Sequence, residues 1–158
     1  MSLPAIPLAE IERIRFLRHC GCPYPLVDRV LAIEPGRSIR GQKVVSVNEP
    51  YFQGHFPELP VMPGVLVIDA LLQLANLLLH VDGGAWHGAH TVATRIASAK
   101  FRRQVTPGDV LDLAVEMGRR DADGAHFAGH AHCDGELACE AEFVLHLTPA
   151  HDGARDAR

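Results

Sequence analysis

The chemistry-bearing residues of this chain are concentrated in residues 54 to 80, GHFPELPVMPGVLVIDALLQLANLLLH. His55 stands in a loop punctuated by Pro57, Pro60 and Pro63. Prolines restrict their own φ and the conformation of the residue before them, so the loop is stiff. Rigid placement of a titratable group is what general acid/base chemistry requires. A lone loop histidine is more often structural or solvated, so His55 needs a companion. Asp69 is the candidate, set in a run that is otherwise Val, Leu, Ile and Ala. Asp69, Gln73 and Asn76 fall at i, i+4 and i+7, which is one face of a helix. A buried carboxylate is costly unless paired or put to use. Two readings stay open: a polar seam facing a cleft, or a structural acid satisfied by backbone or by Gln73. Gly64 follows Pro63 at the start of this run. At a helix N-terminus its N–H has no intrahelical partner, and the helix dipole favours negative charge there. A base, an acid and a donor for an oxyanion are therefore available within one segment.

These groups must be positioned by the elements around them. Pro63 suits the first turn of a helix, and a helix apolar on all sides belongs in a core. A membrane span is not expected: the run falls short of about 20 residues and three polar residues interrupt it. Upstream, Leu8, Ile11, Ile14 and Leu17 have helical spacing and predict a short amphipathic helix over 8–19. Gly21, Pro23 and Pro25 make 20–25 a loop. Leu26 to Ile33 and Ser38 to Val47 predict two strands joined at Glu34-Pro35-Gly36. After the helix, 82–88 contains Gly83, Gly84 and Gly88 and reads as a flexible connection, with Trp86 as a packing cap. Residues 91–103 predict a further strand, and Thr106-Pro107-Gly108-Asp109 a turn. Val110 to Met117 alternates, with Leu111, Leu113, Val115 and Met117 on one face. Asp123-Gly124 and Asp134-Gly135 are hairpin signals. The last strand, Glu136 to Leu147, turns Leu137, Cys139, Ala141, Phe143 and Leu145 to one side. The expected organisation is one α+β domain over 1–148, followed by a polar, disordered tail over 149–158.

Composition narrows the function classes. A chain of 158 residues with 47% hydrophobic and 22% charged residues reads as one soluble globular domain. The net charge of −4 gives no bulk electrostatic support for nucleic-acid binding. Residues 1–20 carry Glu10, Glu12 and several arginines where a signal peptide would have an apolar core. Cys20, Cys22, Cys133 and Cys139 form no metal-type CxxC pair, and reduced thiols fit a cytoplasmic protein. His126, His130 and His132 would share one face of a strand, which reads as a surface-facing side, so no metal site is expected.

The string Gly54-His55-Phe56-Pro57-x-x-Pro60-x-x-Pro63-Gly64-Val65-Leu66-x-x-Asp69-Ala70-x-x-Gln73 resembles the active-site segment of the 3-hydroxyacyl-[acyl-carrier-protein] dehydratases, FabZ-type. The resemblance extends from about Ile11 to Leu147. It includes Leu26 to Val30, Glu34 to Gly36, Asn48 to Gln53, and the Phe-Arg-Arg-x-Val-x-Pro-Gly-Asp string from Phe101 to Asp109. It implies a hot-dog fold, an antiparallel β-sheet wrapped around one long central helix. It implies dehydration of (3R)-3-hydroxyacyl thioesters carried on acyl carrier protein to trans-2-enoyl thioesters, a hydro-lyase reaction of fatty-acid or related acyl-chain biosynthesis. His55 would be the base, Asp69 the acid, Gly64 N–H the oxyanion donor, and Gln73 would orient Asp69. No metal and no redox cofactor are implied.

The family implies a homodimer with shared active sites, and many of its members assemble as trimers of dimers. Lys100, Arg102 and Arg103 form the best basic cluster for the acidic carrier, with Arg119 and Arg120 a second; an ordinary solvated surface is the alternative. Two positions depart from the family pattern. Asp69 stands where FabZ-type dehydratases usually carry Glu and the dehydratase/isomerases carry Asp, shorter in reach by about 1.5 Å. Cys22-Pro23 stands where a Tyr-Pro pair is common. A hot-dog acyl thioesterase and a specialised dehydratase of a polyene or other secondary-metabolite pathway remain as alternatives.

Overall fold

The computed structural model describes residues 24–56, 58–82 and 90–148. The expected N-terminal helix over 8–19, Cys22-Pro23, the Trp86 connection and the tail over 149–158 lie outside the described residues. The described elements are β1 (Arg29–Glu34), β2 (Ser38–Val44), a single 3-10 turn (Pro50–Gln53), α1 (Gly64–Asp82), β3 (His90–Phe101), β4 (Val110–Asp121), β5 (Gly124–Cys133) and β6 (Glu136–Thr148).

The strands form one antiparallel sheet in the order β1-β2-β4-β5-β6-β3. The two hairpins β4–β5 and β5–β6 make its centre. In the second of them Asp134 and Gly135 both take positive φ, 50° and 78°, which matches the right-handed twist of the flanking strands. The first hairpin is centred one residue earlier than its Asp-Gly pair: Asp121 pairs Gly124, so Ala122 and Asp123 make the loop. Chain order is broken at α1, which carries the chain from the β2 side of the sheet to β3 at the opposite edge.

The sheet wraps α1 because their apolar surfaces are complementary. Leu71, Leu74, Leu77, Leu78 and Leu79 on the helix are buried with Ile39, Leu111, Leu113, Phe143 and Leu145 on the strands. Each such side chain contributes about 1.5–3 kcal/mol by leaving water. By length and composition α1 could cross a membrane, with 19 residues and a mean hydropathy of 1.8. Its apolar surface is instead packed into the sheet, and ten of its side chains are buried. Two glycines let the helix approach. A Cβ at Gly41 would sit 2.8 Å from the Arg29 carbonyl and 3.0 Å from Leu74, and one at Gly129 would sit 3.1 Å from Leu71.

Several expected boundaries shift, each for a local reason. β1 begins at Arg29, not Leu26: Leu26 and Val27 are fully buried but precede the strand, and the Leu26 N–H donates to a helix side chain. β2 ends at Val44, where Val45 N–H donates to the Asp109 carbonyl instead of to a strand. β3 stops at Phe101, after which the Arg102 and Arg103 N–H groups both converge on the carbonyl of Ala138 in β6. Pro63 is not inside the first turn of α1 but caps it, its carbonyl accepting from Leu66 and Val67 N–H.

Leu137 does not share the face of Cys139. Ala131 pairs Cys139 while His132 pairs Leu137, so Ala138 is an extra residue and Leu137 falls on the His132 side. The other alternating positions of β4 and β6 face the core as expected. In β5 the histidines 126, 130 and 132 alternate with fully buried Phe127, Ala131 and Cys133, on the outer face of the sheet.

Because the atom nearest a Gly41 Cβ is a backbone carbonyl, the neighbour cannot yield by rotating. Gly41→Ala is expected to destabilise the protein by about 1–3 kcal/mol, read as a lower urea midpoint at unchanged slope.

Candidate active site

The base side of the site is built by the turn that leads to His55. Glu49 N–H donates to Ser46 O, and Phe52 N–H then donates to Glu49 O to close the 3-10 turn. Phe52 is buried and anchors this turn to the core. Phe56 has φ of 55°, in the left-handed region that costs a bulky residue about 1–3 kcal/mol. It is retained by Leu59 N–H donating to Phe56 O at 2.9 Å, and its ring meets the His55 ring edge-on at 4.6 Å. His55 Nδ1 lies 2.6 Å from the Val61 carbonyl oxygen. A carbonyl only accepts, so Nδ1 carries the proton and Nε2 of the neutral ring keeps its lone pair. His55 is thus held in the tautomer a general base needs.

Gly64, the first residue of α1, lies in the same cavity of about 430 Å³ as His55. The walls are mostly apolar and include Met62, Val65, Phe101 and Val105. A side chain at position 64 would collide with Phe101: a Cβ there would be 2.5 Å from Cε1 of the ring. Any larger residue would displace the half-exposed Phe101 ring, and at the start of the helix the Gly64 N–H has no intrahelical carbonyl to bond. Cys139 also lines the cavity, and burial pushes its thiol up to about 11, so it stays protonated and unreactive.

Asp69 does not line this cavity. It lies on the half-open face of α1 with Val65, Leu72 and Asn76, while the opposite face is packed into the sheet. Burial pushes its carboxyl above the ordinary value, and the hydrogen bond from Gln73 recovers only part of that shift. The polar seam read from the spacing divides into different roles. Gln73 is fully buried; its Nε2 donates to Asp69 Oδ2 at 2.9 Å and to the Tyr24 carbonyl at 3.0 Å, and its Oε1 accepts from Leu26 N–H at 2.8 Å. Asn76 accepts a hydrogen bond from the Thr91 hydroxyl and ties α1 to β3.

The basic cluster is less uniform than its sequence. Arg103 is partly buried and bonds Asp109 at 3.2 Å and Glu136 at 3.3 Å. Burial alone would raise the Asp109 carboxyl, but Thr106 N–H and Arg103 hold it below its ordinary value. Arg103 therefore fastens the Thr106–Asp109 turn. Lys100 and Arg102 are exposed and converge on Glu140, at 3.5 and 2.8 Å. Arg102 and Arg103 both line the cavity.

The family model described as the FabA-like domain matches residues 23–142. The chain belongs to the FabA-like family. A 3-hydroxyacyl-[acyl-carrier-protein] dehydratase FabZ of Cereibacter sphaeroides is 46% identical over 140 residues, covering 88% of this chain and 90% of that one. The same enzyme of Oceanobacillus iheyensis is 41% identical over 139 residues, covering 87% and 98%. Among solved structures, the dehydratase heterocomplex ApeI:P of Xenorhabdus doucetiae aligns with a TM-score of 0.54 at 24% identity, over 73% of this chain and 95% of that one. A mutant thioesterase of Pseudomonas aeruginosa aligns with a TM-score of 0.65 at 11% identity, over 94% and 99%. These two likenesses concern the hot-dog fold alone.

Within this FabA-like frame, residue types and spacing pointed to His55, Gly64, Asp69 and Gln73. Phe101 and Cys139 were missed as cavity residues, since both come from strands remote in sequence. Lys43, Glu49 and Tyr24 were also missed. The one available signal was a lysine at an inward position of β2, between Gly41 and Val45.

Asp69 has a folded-state pKa above its unfolded one, so its ionised form is disfavoured in the fold. That penalty is absent below the unfolded pKa, grows as pH rises through the folded pKa, and is complete at neutral pH. Asp69→Asn is therefore expected to raise Tm at pH 7 relative to the parent, with the gain vanishing below about pH 4. Thermal denaturation across that range checks the sign.

Proposed function

We infer that this chain eliminates water from (3R)-3-hydroxyacyl thioesters carried on acyl carrier protein, giving trans-2-enoyl thioesters in fatty-acid biosynthesis. The observation that carries this is the relationship to FabZ dehydratases at 46% identity over nearly the whole length of both chains, with the His55 motif intact.

The reaction needs a base for a C2 proton, a donor for the enolate oxygen and an acid for the leaving hydroxyl. His55 Nε2 takes the C2 proton, while the Val61 carbonyl bonded to Nδ1–H stabilises the imidazolium that forms. The C2–H electrons move into an enolate whose oxygen is bonded by Gly64 N–H, where the α1 dipole favours negative charge. The C3–O bond then breaks as the enolate collapses. The departing oxygen takes a proton from Asp69 and leaves as water. Burial of Asp69 favours its protonated form, which suits an acid. Return of one proton from His55 to Asp69 resets the pair. The reverse direction is hydration of the enoyl thioester by the same groups.

We further propose that each site is completed by a second copy of the chain. His55 and Gly64 share a cavity that Asp69 does not line. The Asp69 face of α1 is half-open, and β3 is an edge strand whose Val92, Ile96 and Phe101 are 46%, 49% and 55% exposed. A long edge strand with apolar side chains is a template for pairing with another chain. A homodimer would cover both surfaces and bring Asp69 of one chain to His55 of the other. Lys100 and Arg102, exposed near the cavity mouth, are the proposed contacts for the acidic carrier, with Arg103 supporting them from the turn it fastens. The buried free thiols Cys133 and Cys139 are consistent with a cytoplasmic site of action.

The test is hydration of crotonoyl and longer enoyl carriers, followed as loss of the conjugated thioester absorbance with free thiol monitored in parallel. The parent is expected to consume enoyl thioester reversibly without releasing thiol. His55→Ala and Asp69→Asn are each expected to lower kcat by about 10²–10⁴-fold. Thiol release by the parent would instead identify a thioesterase, and full activity in either variant would remove that residue from the mechanism.

A further inference from the structure

Lys43 is the one charged side chain that is buried among the described residues. Its neighbours in β2 make this unexpected, since Val44 beside it is 51% exposed. Taking an ammonium out of water costs several kcal/mol unless its donors are met. They are met: Lys43 Nζ donates to Val44 O at 2.7 Å, to Glu49 Oε1 at 2.5 Å and to Asp28 Oδ2 at 3.3 Å. The other oxygen of Glu49 accepts a hydrogen bond from the Tyr24 hydroxyl. Glu49 is the residue from which the turn to His55 springs.

Tyr24 also belongs to a second network. Its backbone carbonyl accepts from Gln73 Nε2, the same amide that bonds Asp69, and Leu26 N–H closes the bracket on Gln73 Oε1. One residue therefore touches both the group that holds Asp69 and the group that starts the His55 loop. Two links lead from its main chain to Asp69, and one from its hydroxyl to Glu49.

We propose that Tyr24 is a positioning residue that fixes the His55 turn, through its hydroxyl and Glu49, relative to the Gln73-held Asp69 of the same chain. This rests on the roles given above to His55 and Asp69. In a homodimer with shared sites, the Asp69 of one chain serves the His55 of the other. A strap within each chain that sets the spacing of its own two groups then sets the geometry of both sites together. The ring of Tyr24 is held independently, edge-on against Tyr51 at 6.3 Å, and Tyr51 packs on Phe52 at 4.7 Å. Removing the hydroxyl therefore leaves the packing in place. Tyr51 supplies an internal control, because its hydroxyl is buried and has no hydrogen-bond partner among the described residues.

The experiment compares Tyr24→Phe, Tyr51→Phe, Glu49→Gln and the Tyr24→Phe/Glu49→Gln double variant in the enoyl hydration assay, with Tm measured for each. His55→Ala runs beside them. Tyr24→Phe is expected to lower kcat by about 10–100-fold with KM within about twofold, because misplacement of catalytic groups acts on the transition state. Tyr51→Phe is expected to keep the parent kcat. The double variant is expected to be no slower than the slower single variant, since both remove the same link. A Tyr24→Phe protein with lower Tm but parent kcat would overturn the proposal and leave the hydroxyl a stabilising group only. Multiplicative losses in the double variant would also overturn it. Failure of the site assignment is separately visible as an active His55→Ala protein. If Tyr24→Phe fails to fold, Glu49→Gln, which removes the carboxylate that the Tyr24 hydroxyl bonds while keeping the side chain's size, carries the same expectation for kcat.

Discussion

The placement of the candidate site depends on one buried amide. Gln73 lies in the middle of an apolar helix, where an unsatisfied polar group would cost about 1–3 kcal/mol. Its position is tolerable because each polar atom is used: the oxygen by Leu26 N–H, the nitrogen by Tyr24 O and Asp69 Oδ2. These bonds settle the direction of the Asp69 carboxylate. They also explain why the chain before β1 is buried without being strand, since the Tyr24 carbonyl and the Leu26 N–H are satisfied by the helix side chain and not by a sheet partner.

From that junction the architecture separates the chemistry into two parts. The proposed base, His55, is held by a loop whose cost, including the left-handed Phe56, is met by turn hydrogen bonds and by the Val61 carbonyl. The proposed oxyanion donor is the Gly64 N–H at the start of α1, in the same cavity as His55. The proposed acid, Asp69, is one helical turn and more beyond, on the half-open side. A helix that buries one face in its own sheet and leaves a carboxyl-bearing stripe half-open is incomplete as a monomer surface. The apolar edge of β3 has the same incompleteness. The proposed partner of the same sequence would meet both.

The fold was legible in the sequence wherever one periodicity ruled. The apolar run of α1, the alternation of β4 and the Asp134-Gly135 turn each carried a local signal that nothing opposed. Where long-range geometry decided, the sequence misled. Alternation placed Leu137 with Cys139, but the bulge at Ala138 reversed it. The strand prediction over Ser38 to Val47 carried no sign that Lys43 is buried, which follows from the inward register shared with Ile39 and Gly41 and from the reach of its ammonium to Glu49. The site was legible as residue types at fixed spacing within 54–73. Its strand-borne members, Phe101 and Cys139, were not, since cavity walls from distant strands leave no local pattern. Nor does spacing reveal that Gln73 is a hub: that follows from which backbone groups reach it in three dimensions.

The division of the site between two chains is the central claim, and subunit mixing tests it most directly. His55→Ala and Asp69→Asn proteins, each inactive alone, would be unfolded together, refolded as a mixture and assayed for enoyl hydration. In a randomly paired mixture half of the dimers are mixed. If His55 and Asp69 of one site come from different chains, each mixed dimer has one intact site, and about one quarter of parental activity returns. If both residues of a site belong to one chain, no combination restores an intact pair, and a mixture as inactive as its components would contradict the account.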